Sequence, residues 1–461
     1  MLDLRDYQSK AVEAVRDAYR NGSKAPLLVA PTGAGKTVIF SYITHAASQR
    51  GNRTMILVHR AELLAQTHKA LEKMGVAHGL VASGRTPDPT QNVQVASVQT
   101  LIRRLDKFPA PDLIIVDEAH HASAGSWQAV IKAYPDARLL GVTATPARLD
   151  GKGLSSSFDT LINGPEVIDL IEQGWLCRPV YYAPSTVDMT GAKTTAGDWN
   201  RKEAEERTNK PKITGDAVTH YQRICAGAPA VVFCVSVAHA ENVAAAFNSA
   251  GYKAAVLDGT LAPDVRASRV NALASGDLHI LTSCDIISEG FDLPRVTAAI
   301  LLRPTQSLSL HLQQIGRVLR PSENKPRAYI LDHVGNCLRH GFAEEPREWT
   351  LDGIKKKTKR EQADDVEKYK QCPTCFAVHL PAPICPQCGH TYEVKARTLD
   401  EVDGTLTELQ VDFDAMRLAR EERQRQGRAQ SLDDLISLGK SRGYKNPQAW
   451  ARYVFKGRRG R

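Results

Sequence analysis

The chain has 461 residues, 42% of them hydrophobic and 24% charged, with a formal net charge of +9. That length exceeds one ordinary core and predicts two domains of typical size with appendages. No run approaches the ~18 to 20 uncharged apolar residues of a membrane span, and residues 1–20 mix charges among their apolar positions. Neither a membrane anchor nor a secretory signal is read, and a cytoplasmic location is expected. The basic balance favours a polyanionic partner, because Lys and Arg neutralise phosphates and release condensed counterions.

Short apolar runs alternate with helix-compatible stretches through most of the chain. Those at 27–29, 55–58, 113–116, 139–142, 231–234 and 298–302 read as buried parallel strands. This order predicts an α/β fold whose ligands sit at the carboxyl ends of the strands. At the first such end stands Ala30-Pro31-Thr32-Gly33-Ala34-Gly35-Lys36-Thr37. Its glycines let backbone N–H groups wrap phosphates at a helix N-terminus, Lys36 reaches the β- and γ-phosphates of ATP, and Thr37 offers a hydroxyl to Mg²⁺. Ala30 replaces the first Gly of the strict pattern, whereas Gly33 and Gly35, nearest the phosphate, are present.

The third run ends in Asp117-Glu118-Ala119-His120. Asp117 is expected to hold Mg²⁺ together with Thr37, and Glu118 to orient and deprotonate the attacking water. By itself an Asp-Glu pair after a strand commonly just complements a helix dipole; beside a phosphate loop the catalytic reading is preferred. Residues 188–212 are polar and read as an insertion or linker, and the charged run 352–370 reads as a domain boundary.

Beyond it, Cys372, Cys375, Cys385 and Cys388 form a C-x₂-C-x₉-C-x₂-C array. Four thiolates at this spacing suit a closed, structural Zn²⁺ site; a redox dithiol or disulfides are the competing readings. The other five cysteines, Cys177, Cys225, Cys234, Cys284 and Cys337, are expected to be free. From 440 to 461 the chain carries eight Lys or Arg and no acid, interleaved with four aromatics. Lys445, Arg452 and Lys456 are expected on nucleic-acid phosphates, while Trp450 either stacks on a base or forms the core of a small helical module.

Further motifs complete a resemblance. Leu4-Arg5-Asp6-Tyr7-Gln8, Val58-His59-Arg60, Ser97-Val98-Gln99-Thr100 and Thr143-Ala144-Thr145-Pro146 precede Ser236 with His239, the stretch from Thr282 through Gly290 and Asp292, and Gln313-Gln314-Ile315-Gly316-Arg317-Val318-Leu319-Arg320. With Asp117 to His120 they occur in the order of the superfamily 2 DEAD/DEAH-box helicases, and the pattern resembles the RadD-like and XPB-like branch.

That resemblance implies two tandem RecA-like domains of the P-loop NTPase kind, at about 1–184 and 212–345, with 185–211 as linker or insertion. Segment 346–370 would be a charged linker, 371–395 the zinc module, 396–430 a charged helical linker and 431–461 a basic helical module. It implies ATP binding by Arg5, Gln8, Thr32, Gly33, Ala34, Gly35, Lys36, Thr37, Gly290 and Asp292, and coupling through His120, Thr143, Thr145 and Gln313. Arg317 and Arg320 would act as arginine fingers across the cleft, and His59, Arg60, Ser97, Gln99 and Thr282 would touch nucleic acid.

The expected activity is an ATP-dependent DNA helicase or translocase on single-stranded, duplex or branched DNA, in repair, recombination or replication. The alternatives are an RNA-dependent ATPase and a non-unwinding accessory factor acting on a recombinase or single-strand-binding protein. The sequence contains no recognisable nuclease carboxylate cluster that would point to a restriction subunit. The cysteine spacing predicts one zinc per chain in protein prepared without chelator, released by Cys385→Ser with the motor still folded. Metal analysis that finds no zinc overturns the Cys₄ reading.

Overall fold

The computed structural model describes residues 3–147, 153–183, 187–195, 197–285, 293–323, 325–353, 431–444 and 446–459, with short pieces between 370 and 429. The four Cys of the Cys-x-x-Cys pairs, with Gly290, Asp292 and Lys445, lie outside the described residues, as does the side chain of Lys456.

Two seven-stranded sheets organise the larger of two compact units, residues 1–344 with 348–410. The first contains β1 (Pro26–Val29), β2 (Thr54–Val58), β3 (Gly79–Val81), β4 (Val93–Ser97), β5 (Leu113–Asp117), β6 (Arg138–Thr143) and β7 (Thr160–Asn163). Its order is β3-β4-β2-β5-β6-β1-β7, and every pairing is parallel. Continuous apolar runs suit these strands because both faces are covered. On β1, Leu28 packs with Val15, Phe40 and Ile56 on one side, while Leu27 and Val29 pack with Leu57, Trp127 and Phe158 on the other.

The second sheet has the order β12-β13-β11-β14-β15-β8-β18. Its strands are β8 (Arg178–Tyr182), β11 (Ala230–Phe233), β12 (Ala254–Leu257), β13 (Ile280–Ser283), β14 (Ala298–Leu301), β15 (Arg327–Asp332) and β18 (Glu408–Leu409); β18 alone runs antiparallel. The sheet covers Tyr221 and Phe247 with Val232 and Ile300. Two parallel α/β sheets in tandem are the RecA-like pair that the sequence predicts.

One boundary differs from the expected one. Strand β8 falls within 1–184, yet it pairs with β15 in the second sheet. The chain therefore crosses between domains just before Arg178. The segment expected at 185–211 as linker or insertion contains the hairpin β9 (Thr194–Thr195) and β10 (Asp198–Trp199), then a helix Arg201–Thr208 capped by the Asn200 side chain. Local turn chemistry was legible in Asn200, but two partners of this segment, Asp285 of Arg201 and Gln306 of Asp198, lie more than eighty residues away.

A short hairpin of β16 (Lys370–Gln371) and β17 (Val378–His379) flanks the first Cys-x-x-Cys pair. The five remaining cysteines are buried, and none of them is in a disulfide. In the second unit, which includes residues 411–461, helices Leu432–Ser441 and Pro447–Arg459 pack on each other around buried Leu435 and Ala451. Trp450 meets Tyr444 edge-on at 5.0 Å and lies under the Arg442 guanidinium at 5.5 Å. A Cβ on Gly439 would come within 3.0 Å of the Trp450 ring, so the indole packs inside this small hairpin; Arg452 is exposed.

At Gly141, on β6 beside β1, an added Cβ would fall 2.4 Å from Phe158 and 2.6 Å from Leu27. Gly141→Ala should overpack this layer and cost about 1 to 3 kcal/mol. Denaturant unfolding of the first domain at wild-type midpoint would contradict that packing.

Candidate nucleotide site

The loop between β1 and the helix Lys36–Ser48 turns through Gly33 (φ +92°) and Gly35 (φ +77°), the latter capping the helix. These left-handed conformations suit glycine, and space demands it as well. A Cβ on Gly35 would stand 2.5 Å from Gln8 Nε2, and one on Gly33 would stand 2.8 Å from Leu176. Gln8 Nε2 donates to the Ala34 carbonyl at 3.4 Å, while Gln8 Oε1 accepts from the Arg5 N–H at 3.0 Å. The Arg5 guanidinium carbon lies over the Trp175 ring, 3.8 Å from its centroid, and Arg5 donates to the Tyr7 hydroxyl, which donates to the Ala34 carbonyl. Trp175 escaped the sequence reading, for nothing near it in the chain signals contact with Arg5.

Lys36 Nζ donates to the Ala30 carbonyl at 3.3 Å. Burial lowers its pKa, opposed by the Glu118 and Asp117 carboxylates. Strand β5 delivers Asp117 to the same place, and its carboxyl is pushed up to about 7, first by burial and then by the charge of Glu118, with Lys36 opposing. A buried carboxyl pair of this kind needs compensating positive charge. Together with the Thr37 hydroxyl, which accepts from Gln66 Nε2 at 3.3 Å, this donor set fits a hard divalent cation such as Mg²⁺. Among the described residues no group of three or more His, Cys, Asp or Glu is placed to hold a metal ion.

Glu118 has φ +52°, a conformation costing a non-glycine residue ~1 kcal/mol or more. It sets the carboxylate 3.4 Å from His120 Nδ1. From there a buried polar chain continues: His120 Nδ1 to Thr143 Oγ1 at 3.3 Å, and Thr143 Oγ1 to the Thr145 carbonyl at 2.9 Å. Thr145 Oγ1 then hydrogen-bonds Ser309 Oγ on the second domain's helix Leu308–Gly316. Ser309 was not foreseen; it lies one turn before Gln313, on the same helix face.

That helix brings Arg317 and Arg320 to the cleft. A Cβ on Gly316 would lie 2.5 Å from Thr32 Cβ, which shows how closely the second domain meets the phosphate loop. Lys36, Thr37, Asp117, Glu118, Arg317 and Arg320 line a single cleft of 490 Å³, with Arg5, Gln8 and Trp175 walling another part of it. Arg320 is held from behind: Lys325, buried and with its pKa lowered to about 8 by desolvation, donates to the Arg320 carbonyl at 2.7 Å.

Family comparison agrees with this geometry. Residues 1–148 match the family described as "Type III restriction enzyme, res subunit", and residues 216–322 match "Helicase conserved C-terminal domain". A 51.5 kDa protein of Lactococcus phage (isolate 7-9) is 33% identical over 372 residues, 80% of this chain and 79% of the relative. The chain belongs to the superfamily 2 helicases.

A protein of Saccharomyces cerevisiae, provisionally named an ATP-dependent helicase, IRC3, is 30% identical over 79% of this chain; the chain spans 54% of its length. Among solved structures, a fragment of a protein provisionally assigned as the HsdR subunit of a type I restriction enzyme from Vibrio vulnificus YJ016 superposes with a TM-score of 0.60. It covers 74% of this chain and 67% of that one at 21% identity, which shows shared fold.

This superfamily 2 helicase presents its expected strand-gripping residues unevenly. Arg60 Nη1 reaches across the domains to the Asp285 carbonyl at 3.3 Å. His59 packs 4.4 Å from His121, ring to ring. Ser97 Oγ donates to Gln99 Oε1 at 2.9 Å, with Gln99 exposed. Thr282, expected on nucleic acid, is fully buried on β13 and donates to the Ala240 carbonyl at 2.9 Å; it braces the sheet from inside. No helix among the described residues is long and apolar enough to cross a membrane.

Gly316→Ala should push the Leu308–Gly316 helix off the phosphate loop, because the Thr32 Cβ cannot yield. Turnover should drop by about tenfold or more, equivalent to ~1.4 kcal/mol of barrier, with both domains folded. An unchanged kcat would show that the helix does not need this approach.

Proposed function

We propose that this chain is an ATP-dependent DNA translocase or helicase, with ATP hydrolysed between its two RecA-like domains. The observation carrying this reading is the single cleft in which Lys36, Asp117 and Glu118 of one domain face Arg317 and Arg320 of the other. Lys36 would neutralise the terminal phosphates, and Asp117 with Thr37 would hold Mg²⁺, whose positive charge would offset the negative charge of the phosphates. Glu118 takes a proton from the attacking water. The two arginines stabilise the charge developing on the transferred phosphoryl, and Arg5 over Trp175, at 3.8 Å, walls the cleft beside Gln8.

The chain from Glu118 to Ser309 supports coupling, since it ties the hydrolytic carboxylate to the second domain's helix through His120, Thr143 and Thr145. Closing and reopening the cleft would step the two domains along a strand. DNA is favoured over RNA because the family matched by residues 1–148 is a restriction-enzyme subunit, and restriction enzymes act on DNA.

Lys36→Ala should abolish hydrolysis and weaken ATP binding, whereas Glu118→Gln should bind ATP and fail to hydrolyse it. Arg317→Ala or Arg320→Ala should spare binding and lower turnover by ~10³-fold or more, in the range of arginine fingers elsewhere. Nucleotide-binding and ATPase assays with single-stranded, duplex and forked DNA and with RNA check all of these. Stimulation by RNA alone would overturn the DNA reading, and wild-type turnover in Lys36→Ala the whole site.

A further inference from the structure

Residues 187–209 are fastened to the second domain far more firmly than a connecting segment requires. Met189 and Ala204 pack with Val235, and the Ser236 hydroxyl donates to Glu205 Oε1 at 2.6 Å. The Arg339 guanidinium lies 5.6 Å over the Trp199 ring. Arg207 donates to the Asp188 and Thr190 carbonyls, which ties the helix back to the start of the segment ahead of its hairpin.

Two ends of this appendage carry chemistry. At one end Arg201 pairs with the carboxylate of Asp285, just past β13. Arg303 of the second domain pairs with the same carboxylate, and Arg60 of the first domain donates to the Asp285 carbonyl. Guanidinium groups from three parts of the chain thus converge on one acidic residue; Asp198, 3.7 Å from Arg303, offsets part of the surplus positive charge. Arg201 is 63% exposed at its side chain, so this cluster opens to solvent. At the other end Asp198 accepts from the Gln306 N–H at 2.7 Å and from the Thr305 hydroxyl at 2.9 Å. The next residue, Ser307, caps the Leu308–Gly316 helix and donates its own N–H to the Thr305 hydroxyl.

We propose that the 187–209 insert is a strand sensor: Arg201 takes a DNA backbone phosphate in place of Asp285, and Asp198 transmits the movement to the helix that carries Gln313 and leads into Arg317. The proposal rests on the DNA-motor reading and adds to it a phosphate site and a route from that site to the cleft. A phosphate diester presents two charged oxygens to the guanidinium fork, much as the Asp285 carboxylate does, so the exchange preserves the pairing geometry. Because Arg60 belongs to the other domain, the cluster senses the strand and the domain spacing together. Hairpin, helix and cap are linked by short polar contacts and a small apolar core, so a displacement at Arg201 reaches Thr305 through packed structure.

The test uses the full chain, with ATPase titrated against poly(dT) and against a mixed-sequence duplex oligonucleotide. Arg201→Ala should raise the DNA concentration for half-maximal stimulation about tenfold. It should also lower the log–log salt slope by about one, and Arg201→Lys should restore the slope because the charge remains. Asp198→Asn should instead lower the stimulated kcat several-fold with the half-maximal concentration nearly unchanged, and Asp198→Glu should recover part of it. Thermal melting measured alongside separates these effects from misfolding. Wild-type half-maximal concentration and salt slope in Arg201→Ala, or wild-type stimulated kcat in Asp198→Asn, overturns the sensor while the motor reading stands. A wild-type chain that no DNA stimulates overturns the motor reading itself, and the sensor with it.

Discussion

At Gly316 the second domain's helix lies so near the phosphate loop that one added carbon would overlap Thr32 at 2.5 Å. Only a residue without a side chain permits that approach, and much else follows from it. With the helix seated there, Arg317 and Arg320 border the same cleft as Lys36 and Glu118, and Ser309 reaches Thr145. The crossing chain is fixed to the same helix end, where the Cys177 N–H donates to the Leu319 carbonyl at 2.7 Å. Leu176, beside it, presses on Gly33 from the other side of the loop. The phosphate loop is therefore shaped by two domains, although its own residues all come from one.

Electrostatics in the cleft follow from burial. Lys36 is desolvated, which lowers its pKa, and the two nearby arginines lower it further; Asp117 is desolvated too, and beside Glu118 it rises to about 7. In both groups burial disfavours the charged form. A triphosphate with its cation supplies negative charge to Lys36 and the arginines and positive charge to the carboxylates, so binding relieves both sets of penalties together. The left-handed backbone at Glu118 fits the same picture: local strain persists where surrounding contacts, here His120, over-determine the conformation.

What could be read from sequence was whatever chemistry sits at a strand end. Gly33, Gly35 and Lys36 follow β1, Asp117 and Glu118 follow β5, and Thr143 closes β6, so strand periodicity and motif spacing placed them together. Arg317 and Arg320 were legible only through resemblance, since an arginine on a helix carries no local mark of a partner domain. Trp175, Ser309 and Asp198 were invisible for a different reason: each acts through one partner more than a hundred residues away. Thr282 was placed on nucleic acid by resemblance alone, and a motif carries no sign that its hydroxyl donates internally to the Ala240 carbonyl. Low apolar content at 185–211 left linker and insertion both open, because the contacts that fasten residues 187–209 are mostly polar.

The crossing at Cys177 has a consequence for how this motor divides into parts. Strand β8 is donated to the second sheet by chain that precedes the insert, and it lies between β15 and β18. A fragment begun after the insert would therefore leave the flank of β15 unpaired along Arg327 to Leu331, an open row of backbone donors and acceptors ready to join strands from other copies. A fragment ended at about 184 would carry β8 as a loose apolar tail containing Tyr181, which in the whole protein is buried and donates to Glu344 at 2.6 Å. The two halves are thus interlaced, by this strand and again by Trp349 and Leu351, which return to the first domain's core, where Leu351 accepts from the Leu154 N–H at 2.7 Å; the first crossing between them lies near Arg178, ahead of both the insert and the sheet it serves.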